Sequence, residues 1–394
     1  MKSDTPLSAQ SALYSTPFLL LCASNFVFAA SFQMLIPELP DHLTALGGAN
    51  YKGWILALFT LTAGVSRPFS GKLTDSIGRV PVMIFGSLVC VICSLFYPII
   101  TTVYGFLLLR FFHGFSTGFK PTATAAYTAD LVDVHRRGEA MSALGMSSSI
   151  GMSIAPLIGS AVTVHFGFNT MCLLSAAFAL VSVVILVGTM EETLPNKQKF
   201  SPVLLKVKRH EIYDPRAIPT FIVQFLVAFA SGVVLNIIPD MTKLLGIENK
   251  GLFFGIYTFS SLLIRIFLGK SSDKYGRITV LKFSSLTMFF SLLFVAWAHT
   301  PFMFIISAII YGFSWGMNTP TLQAWVVDLV SPENRGRGFA TMFMGLESGI
   351  GVGALTSQFI YKNDPARIDL PFYLSAVLAL AAFIYLNFKK EASY

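Results

Sequence analysis

The sequence predicts an all-α membrane protein whose twelve transmembrane helices form two pseudo-symmetric six-helix bundles. Three observations predict this fold class: the scarcity of charge, the length of the uncharged stretches and an internal repeat. Of the 394 residues, 54% are hydrophobic and only 12% are charged, whereas soluble domains carry about 25% charged residues. Ions are costly in lipid, so most of the chain is expected to lie in a bilayer. This composition excludes an ordinary soluble enzyme.

The uncharged stretches are long enough to supply a series of bilayer-crossing helices, which need about 20 apolar residues each. Residues 140–190 contain no Asp, Glu, Lys or Arg, and a polar turn at 165–169 divides them into two helices. The twelve predicted spans are 17–37, 51–71, 81–100, 103–128, 140–163, 168–190, 217–239, 250–269, 279–298, 301–327, 338–360 and 370–388.

The charged residues predict the orientation of these spans. Residues 1–16 are polar, and no small-residue cleavage site follows the first apolar stretch, so we expect a retained first helix. Most of the 28 lysine and arginine residues fall on the side of the two termini, which predicts cytoplasmic termini in a cell inner membrane. The net charge of +8 is thus a topology signal, and no nucleic-acid partner is expected.

The sequence offers no pattern for a bound metal or cofactor, and none is expected. Its four cysteines, Cys22, Cys90, Cys93 and Cys172, all lie inside apolar stretches. This placement indicates neither a disulfide scaffold nor a zinc site. A Walker lysine motif is also absent from the sequence, so transport driven by ATP within this chain is not expected.

The two halves of the chain repeat each other at a constant offset of 198 residues. Gly53 corresponds to Gly251, Arg67 to Arg265, and the same offset recurs over a hundred positions. We therefore predict a bundle at 1–190, a cytoplasmic linker at 191–216 and a second bundle at 217–394. Parallel repeats of six spans imply a two-fold axis along the membrane normal, with a binding site between the halves.

Four motifs identify the chain as similar to a known family. The segment Gly71–Arg79 resembles motif A of the major facilitator superfamily, and Gly269–Arg277 resembles its second-half copy. Arg110–Gly114 is similar to the RxxxG motif of the fourth span. Gly151–Gly159 resembles motif C of the antiporter branch, with Ala155 in place of the usual second glycine of that motif. The resemblance implies a transporter of the twelve-span efflux branch, and it covers the whole chain.

The resemblance implies a conformational latch on the cytoplasmic side. Asp75 would face the positive amino end of the eleventh span, and Arg79 would pair with Asp130 of the fourth. These contacts would form only when the inner side is closed, and would favour the outward-facing state. The alternative is a plain positive-inside anchor. The implied latch residues are Gly71, Asp75, Gly78, Arg79 and Asp130, with Asp273, Arg277 and Asp328 as the second-half counterparts.

Charged residues inside the spans are a second functional signal, because each costs at least about 2.5 kcal/mol near the bilayer centre. Arg110, His113, Thr117 and Lys120 fall on one stripe of the fourth span. The resemblance implies that the fourth span lines the cavity, so this stripe is a candidate substrate or coupling site. For Arg110 the alternative is a scaffold hydrogen bond, for His113 helix packing, and for Lys120 a structural pair.

Glu347 is the only acid well inside a predicted span. Because a carboxyl group at that depth must exchange a proton as access alternates, Glu347 is a candidate for proton coupling. The alternative is a buried salt bridge with Arg67 or Lys120. Arg67 and Arg265 lie four residues before the motif A copies, so we expect both to reach the inner surface. Further polar residues on the expected cavity helices are Asn25, Gln33, Gln224, Asn236, Tyr311 and Asn318.

These features predict a secondary transporter that works by alternating access, with proton-coupled export of an anionic or zwitterionic organic molecule as the leading interpretation. Arg110 and Lys120 favour an anionic substrate. Two alternatives stay open: a multidrug/proton antiporter for lipophilic cations, and a proton-coupled uptake symporter. A membrane-embedded enzyme is not expected, because no convergent catalytic motif occurs. The expected partners are a small molecule, protons and the lipid bilayer, and the chain is expected to be a monomer.

Overall fold

The computed structural model of the chain describes residues 15–131, 137–194, 197–206, 212–268, 271–330 and 335–389. Those residues form fourteen α-helices and no strand. The twelve long helices are α1 (Thr16–Gln33), α3 (Lys52–Ser76), α4 (Arg79–Phe96), α5 (Val103–Leu131), α6 (Arg137–Phe166), α7 (Phe168–Thr189), α8 (Ile218–Leu244), α9 (Leu252–Leu268), α11 (Arg277–Ala296), α12 (Pro301–Leu329), α13 (Arg335–Tyr361) and α14 (Leu370–Asn387), and the two short ones are α2 (Leu39–Ala45) and α10 (Ser271–Tyr275).

Each long helix overlaps one of the twelve predicted spans, which confirms the predicted fold class. Nine helices in the described part are long and apolar enough to cross a bilayer on those criteria alone. α3 and α5 are less apolar because they carry charges such as Arg67 and Lys120, and α9 has a shorter apolar stretch. The first span ends earlier than predicted, at Gln33, and the chain turns before α2 begins at Leu39. Pro40 lies in the first turn of α2, a position that suits proline.

Within each bundle the helices pack in the same way, as the repeat predicts. α3 packs on α5 in the first bundle, and α9 packs on α12 in the second. A side chain at Gly114 would clash with the carbonyl of Phe59, and one at Gly312 would clash with the carbonyl of Tyr257. Gly312 and Tyr257 lie 198 positions after Gly114 and Phe59, respectively. Glycine therefore allows the same close helix approach in both bundles.

Buried serine hydroxyls join the helices of the first bundle. Ser24 Oγ of α1 lies 2.9 Å from Ser182 Oγ of α7, and Ser94 Oγ of α4 lies 2.9 Å from Ser175 Oγ of α7. In an apolar surrounding, such pairs satisfy polar groups that lipid cannot satisfy.

The linker between α7 and α8 lies against the end of the bundles that carries the motif A segments. Its backbone bonds α3 at two points: Gln198 N donates to Ser76 O at 2.8 Å, and Lys206 O accepts from Lys72 Nζ at 2.5 Å. We call this end the linker face. The opposite end, which carries α2 and the turns at 245–251 and 362–369, is the far face.

Candidate functional site

The two bundles meet along two seams, α3 against α13 and α6 against α9. A Cβ atom on Gly53 of α3 would lie 2.5 Å from the carbonyl oxygen of Ala354 in α13, and one on Gly251, just before α9, would clash with the carbonyl of Pro156 in α6. Gly53 and Gly251 are repeat equivalents, and so are Pro156 and Ala354. The seams are therefore related by the same pseudo-two-fold symmetry, and both are tightly closed near the far face.

An ion pair crosses the first seam near mid-bundle. Arg67 Nη2 of α3 donates to Glu347 Oε1 of α13 at 2.7 Å, and both side chains are largely buried. The Arg67 guanidinium also lies 4.8 Å from the ring centroid of Phe343. The sequence left open whether Glu347 pairs with Arg67 or Lys120, and in this structure its partner is Arg67.

The second seam holds the repeat equivalent of that pair. Arg265 Nη1 of α9 lies 3.2 Å from Ser149 Oγ of α6, and Ser149 precedes Glu347 by 198 residues. The expectation that Arg67 and Arg265 extend to the inner surface is wrong for this structure. Both guanidinium groups instead reach across to the other bundle, where each contacts one polar side chain.

A cleft of about 930 Å³ runs along the first seam, between α3 and α13. Its walls are mostly apolar, and Glu347 lies on its surface. Leu61 and Val65 of its wall are more than half exposed, so the cleft opens at the surface that would face lipid. Linker residues Leu205 and Ile212 line its end at the linker face. The cleft could accommodate an amphiphilic molecule of ligand size.

On the far face, ion pairs join the bundles at positions that the sequence analysis did not single out. Lys52 Nζ of α3 lies 2.7 Å from Asp240 Oδ2 of α8, and both side chains are buried. Lys250 Nζ lies 2.8 Å from Glu38 Oε2 and 2.6 Å from Asp41 Oδ2. In the sequence these charges lie at the ends of spans, where anchors are common, so no signal distinguished them.

The Asp41 carboxylate also accepts a hydrogen bond from Lys243. Burial alone would raise the pKa of Asp41, but the hydrogen bonds and charges of Lys243 and Lys250 outweigh it and lower that pKa below its ordinary value. The cluster of Glu38, Asp41, Lys243 and Lys250 is the far-face cluster. It holds the far ends of the two bundles together in this conformation.

Arg110 lies inside the first bundle, and only 1% of it is exposed. Its Nε donates to the carbonyl of Ile55 at 3.1 Å, its Nη1 lies 3.3 Å from the hydroxyl of Tyr97, and its guanidinium lies 4.4 Å from the ring centroid of Phe59. His113 is buried beside it, with Nδ1 3.1 Å from Tyr97 Oη. These contacts are those of the scaffold alternative.

Lys120 is also enclosed in the first bundle, with no exposed surface. Its ammonium group donates to Ser24 O at 3.0 Å and to the hydroxyl of Ser182, and lies 4.4 Å from the ring centroid of Phe28. Thr117 is half-buried and bonds to the carbonyl of Gly114 in its own helix. Lys120 and Glu347 do not meet in this conformation.

The other candidate polar residues are buried at several places in the two bundles. Asn25 bonds to α6 through Leu144 O at 3.2 Å, and Asn236 bonds to Ser357 of α13 at 2.9 Å. Tyr311 Oη lies 3.0 Å from Ser231 Oγ, and Asn318 donates to Ser284 of α11 at 3.2 Å. Gln33 is buried in α1, while both side-chain polar atoms of Gln224 are buried without a partner in the described residues. Of these six, Gln224 has the most unsatisfied hydrogen-bonding capacity.

At the linker face, the arginine pairs that the resemblance implied are present. Arg79 Nε lies 3.0 Å from Asp130 Oδ2, and Arg277 Nε lies 3.0 Å from Asp328 Oδ2. Each pair joins two helices of one bundle, α4 to α5 and α11 to α12. Because neither pair crosses between the bundles, neither requires the inner side to be closed, contrary to the expectation for the latch contacts.

Asp75 occupies a different place from the one implied. Its side chain is 73% exposed and contacts Arg79 at 3.1 Å, so it is not docked against the eleventh span. Gly78 adopts φ +119°, a left-handed angle that favours glycine in the turn. A Cβ atom added at Gly71 would have no heavy atom within 4 Å. The side chain of Asp273 lies outside the described part of the structure.

The Glu192 carboxylate, which the sequence analysis did not identify, caps α4 at the same face. It accepts from Arg79 N at 2.9 Å and Val80 N at 3.1 Å. A carboxylate at a helix amino end satisfies orphan backbone donors and the positive dipole. The linker is thereby attached to the motif A turn.

Comparison with known proteins places this geometry in context. The sequence matches the family model described as "Major Facilitator Superfamily" over residues 21–214 and 220–393. Among curated proteins, it is 25% identical to the "Multi-drug resistance efflux pump PmrA homolog" of Lactococcus lactis, covering 93% of each chain. It is 25% identical to the "Multi-drug resistance efflux pump PmrA" of Streptococcus pneumoniae, covering 93% of this chain and 96% of that one. It is 24% identical to the "Multidrug resistance protein MdtG" of Escherichia fergusonii, covering 91% of each.

Two solved structures have the same overall fold. The structure of a D-xylose-proton symporter matches with a TM-score of 0.78 at 17% identity, covering 95% of this chain and 97% of that one. The human organic anion transporter MFSD10 (TETRAN) matches with a TM-score of 0.72 at 18% identity, covering 94% and 98%. At such identities the likeness concerns the fold alone.

Proposed function

This chain belongs to the Major Facilitator Superfamily, and from that premise we propose that it exports an anionic or zwitterionic organic molecule in exchange for protons. It is a multi-pass membrane transporter of that family. The finer proposal includes alternating access, proton coupling and a substrate that carries a carboxylate or similar anionic group. Its domains would be the two bundles at 1–190 and 217–394 with the linker at 191–216, and it would act as a monomer.

The Arg67–Glu347 ion pair is the observation that carries the proposal. It joins α3 to α13 across the seam between the bundles. Its acid lies near the middle of α13, whereas Asp240, the acid of the other buried pair between the bundles, lies near the far-face end of α8. Protonation of Glu347 would remove its charge and weaken the pair. A proton taken up at this carboxyl would thus bias the two bundles to separate there, which couples protonation to conformation.

The substrate charge is supported by the excess of cations at the seams. Arg67 and Arg265 both reach across from one bundle to the other, while Glu347 can neutralise only one of them. Arg110 and Lys120 remain candidates for a conformation in which the first bundle rearranges. In the present conformation their hydrogen bonds are internal to that bundle.

We place the linker face in the cytoplasm of a bacterium and the far face outside its inner membrane. The bias of lysine and arginine towards the linker face supports this orientation. The ion pairs of the far face, together with the exposed Asp75 at the linker face, then correspond to a transporter closed to the outside. In the opposite state the far-face pairs would break and Asp75 would dock.

A second candidate function is a multidrug/proton antiporter for lipophilic cations. The relatives named as multidrug efflux pumps favour it, and so does the apolar cleft along α3 and α13, with Glu347 on its wall. In that function the cationic substrate would replace Arg67 as the ion-pair partner of Glu347.

The test uses everted vesicles with an imposed pH gradient and two dyes: a rhodamine with a free carboxylate, and its methyl ester, which is a cation. Our proposal predicts gradient-driven uptake of the carboxylate dye that Glu347→Gln abolishes. The matched control is Asp364→Asn, an exposed acid of the far face, which should leave uptake unchanged. Uptake that ignores the gradient would refute the coupling role, and preferential uptake of the ester would favour the cation antiporter.

A further inference from the structure

The repeat brings two arginines to equivalent places in the interface, but it does not give them equivalent partners. Arg67 meets a carboxylate, Glu347, at 2.7 Å. Among the described residues, Arg265 is hydrogen-bonded only to a hydroxyl, that of Ser149, at 3.2 Å. Arg265 lies 198 residues after Arg67, and Glu347 lies 198 residues after Ser149, so both partners of one pair are repeat equivalents of those of the other. The difference between the two seams is therefore one missing negative charge.

No acid in the described part of the chain replaces that charge. The ion pairs of the described residues do not include Arg265, and its Nε, like that of Arg67, is buried without a hydrogen-bond partner. Arginine stays protonated at any physiological pH. A guanidinium group inside a membrane protein that lacks a counter-ion is costly and is commonly part of a binding site.

We propose that Arg265 and Ser149 form the subsite that binds the anionic group of the transported molecule, with a carboxylate as the chemical class. The assignment rests on the proposed function and deepens it. A carboxylate at this place would supply the charge that Glu347 supplies at the other seam. The guanidinium presents a planar fork of donors that matches two carboxylate oxygens, and the Ser149 hydroxyl adds a third donor from the opposite bundle.

The location of the subsite suits a transported ligand. Arg265 belongs to α9 of the second bundle and Ser149 to α6 of the first, so an anion held by both would connect the bundles. Ser147 and Ser148 adjoin Ser149 on α6 and are only partly buried. A ligand that contacts two bodies has different contacts in each conformation, and this difference is what couples binding to alternating access.

The first measurement is equilibrium binding to the purified full-length protein in nanodiscs of phosphatidylcholine, by fluorescence polarisation. The probes are the carboxylate rhodamine and its methyl ester, which differ only in the anionic group. The wild-type protein should bind the carboxylate dye more tightly. Arg265→Gln should weaken binding of the carboxylate dye at least about tenfold, as expected for losing a charge-assisted hydrogen bond, and should leave the ester unchanged.

A second variant tests the missing charge directly. Ser149→Glu copies Glu347 into the repeat-equivalent position, where it should pair with Arg265. We expect this variant to lose the preference for the carboxylate dye while its melting temperature rises, a combination that general damage would not produce. Arg367→Gln, which removes a half-exposed arginine of the far face, is the matched control and should bind both dyes as the wild type does.

The outcomes separate this assignment from the proposed function. Equal binding of both dyes by the wild type, binding of neither, or equal losses for both in Arg265→Gln would overturn the assignment, even if the vesicle experiment shows proton-driven export. Selective loss of the carboxylate dye would support it, even if no gradient-driven flux is found. Nanodiscs that contain phosphatidylglycerol test the other source of an anionic group. If this lipid removes the preference in the wild type, a lipid headgroup occupies the site and the substrate assignment is wrong.

Discussion

Closure of the far face depends on two glycines that allow the bundles to touch, and replacing either should open it. In Gly53→Ala the new Cβ would lie 2.5 Å from the Ala354 carbonyl oxygen and 2.9 Å from Gln358 Cβ, where ordinary contacts begin at 3.4 Å. The seam must therefore widen by about 0.9 Å at this point. Gly251→Ala makes the equivalent clash with Pro156 on the other seam.

The size of the effect follows from the cost of overpacking. An additional methyl group in a tightly packed contact costs about 1–3 kcal/mol, and only the closed conformation has this contact. The equilibrium between the closed and open far face should therefore shift by about 5- to 150-fold towards the open form. If about 1% of the wild-type molecules are open, roughly 5% to 60% of the variant molecules should be open.

The assay is double electron–electron resonance between spin labels on Thr44→Cys of α2 and Leu244→Cys at the end of α8. Both positions are exposed on the far face, one in each bundle, and the four native cysteines would first be replaced. A population of longer distances should grow in Gly53→Ala and in Gly251→Ala. Gly188→Ala, which adds a methyl group where nothing lies within 4 Å, controls for helix propensity. Unchanged distances in both variants would refute the reasoning, because the closed conformation would then have relieved the steric overlap of the new Cβ by local adjustment, without opening.

Three further predictions concern the charged groups. Lys250→Gln leaves Glu38, which is 3% exposed, without its cation and should destabilise the closed far face by about 3–5 kcal/mol. Lys243→Gln removes a more exposed partner of Asp41 and should destabilise the closed far face by at most about 1 kcal/mol. Similar shifts in the spin-label distances for the two variants would contradict this ranking. Because the pKa of Asp41 is lowered, the stabilisation of the far face by this carboxylate is present above its ordinary pKa near 3.8 and is lost only as the pH falls through the lowered value. In a Glu347→Gln background, where the proposed coupling group cannot titrate, far-face distances should therefore stay constant between pH 5.5 and 8.5, and a change in that window would refute this attribution. Lys120→Met should not lower the melting temperature, since it replaces a buried cation that has no carboxylate partner among the described residues with an apolar side chain of similar size. A large decrease would show that the hydrogen bonds of Lys120 to α1 and α7 stabilise the fold.

The motif A turns were predictable because their chemistry is local. Gly78 precedes Arg79 in a short reversal between two helices, and the structure shows it at a left-handed φ. Arg79 and Asp130 lie at the ends of neighbouring helices, and the resemblance supplied the pairing that the structure contains. Whether Asp75 docks against the eleventh span was not predictable in the same way, and in this structure Asp75 is exposed. Docking depends on the distance between the bundles, which changes with conformation.

The stripe of α5 illustrates a different limit. Helical periodicity correctly places Arg110, His113 and Lys120 on one side of α5, but periodicity does not say which neighbour that side meets. In the structure the stripe faces α1, α3, α4 and α7 of its own bundle through contacts such as those to Ile55 and Ser24. A polar stripe is compatible with a wet cavity or with hydroxyls and carbonyls of adjacent helices, and composition does not distinguish the two.

The sequence by itself determined the number of membrane-crossing helices, the division into two repeats and the positions of the turns, because hydropathy, charge and glycine placement act over a few residues. Only the tertiary structure decided which charges meet. Lys52 and Asp240 are 188 residues apart in the chain, as Arg67 and Glu347 are 280 apart. Contacts at such separations depend on how two independently formed bundles come together, and no local pattern records that arrangement.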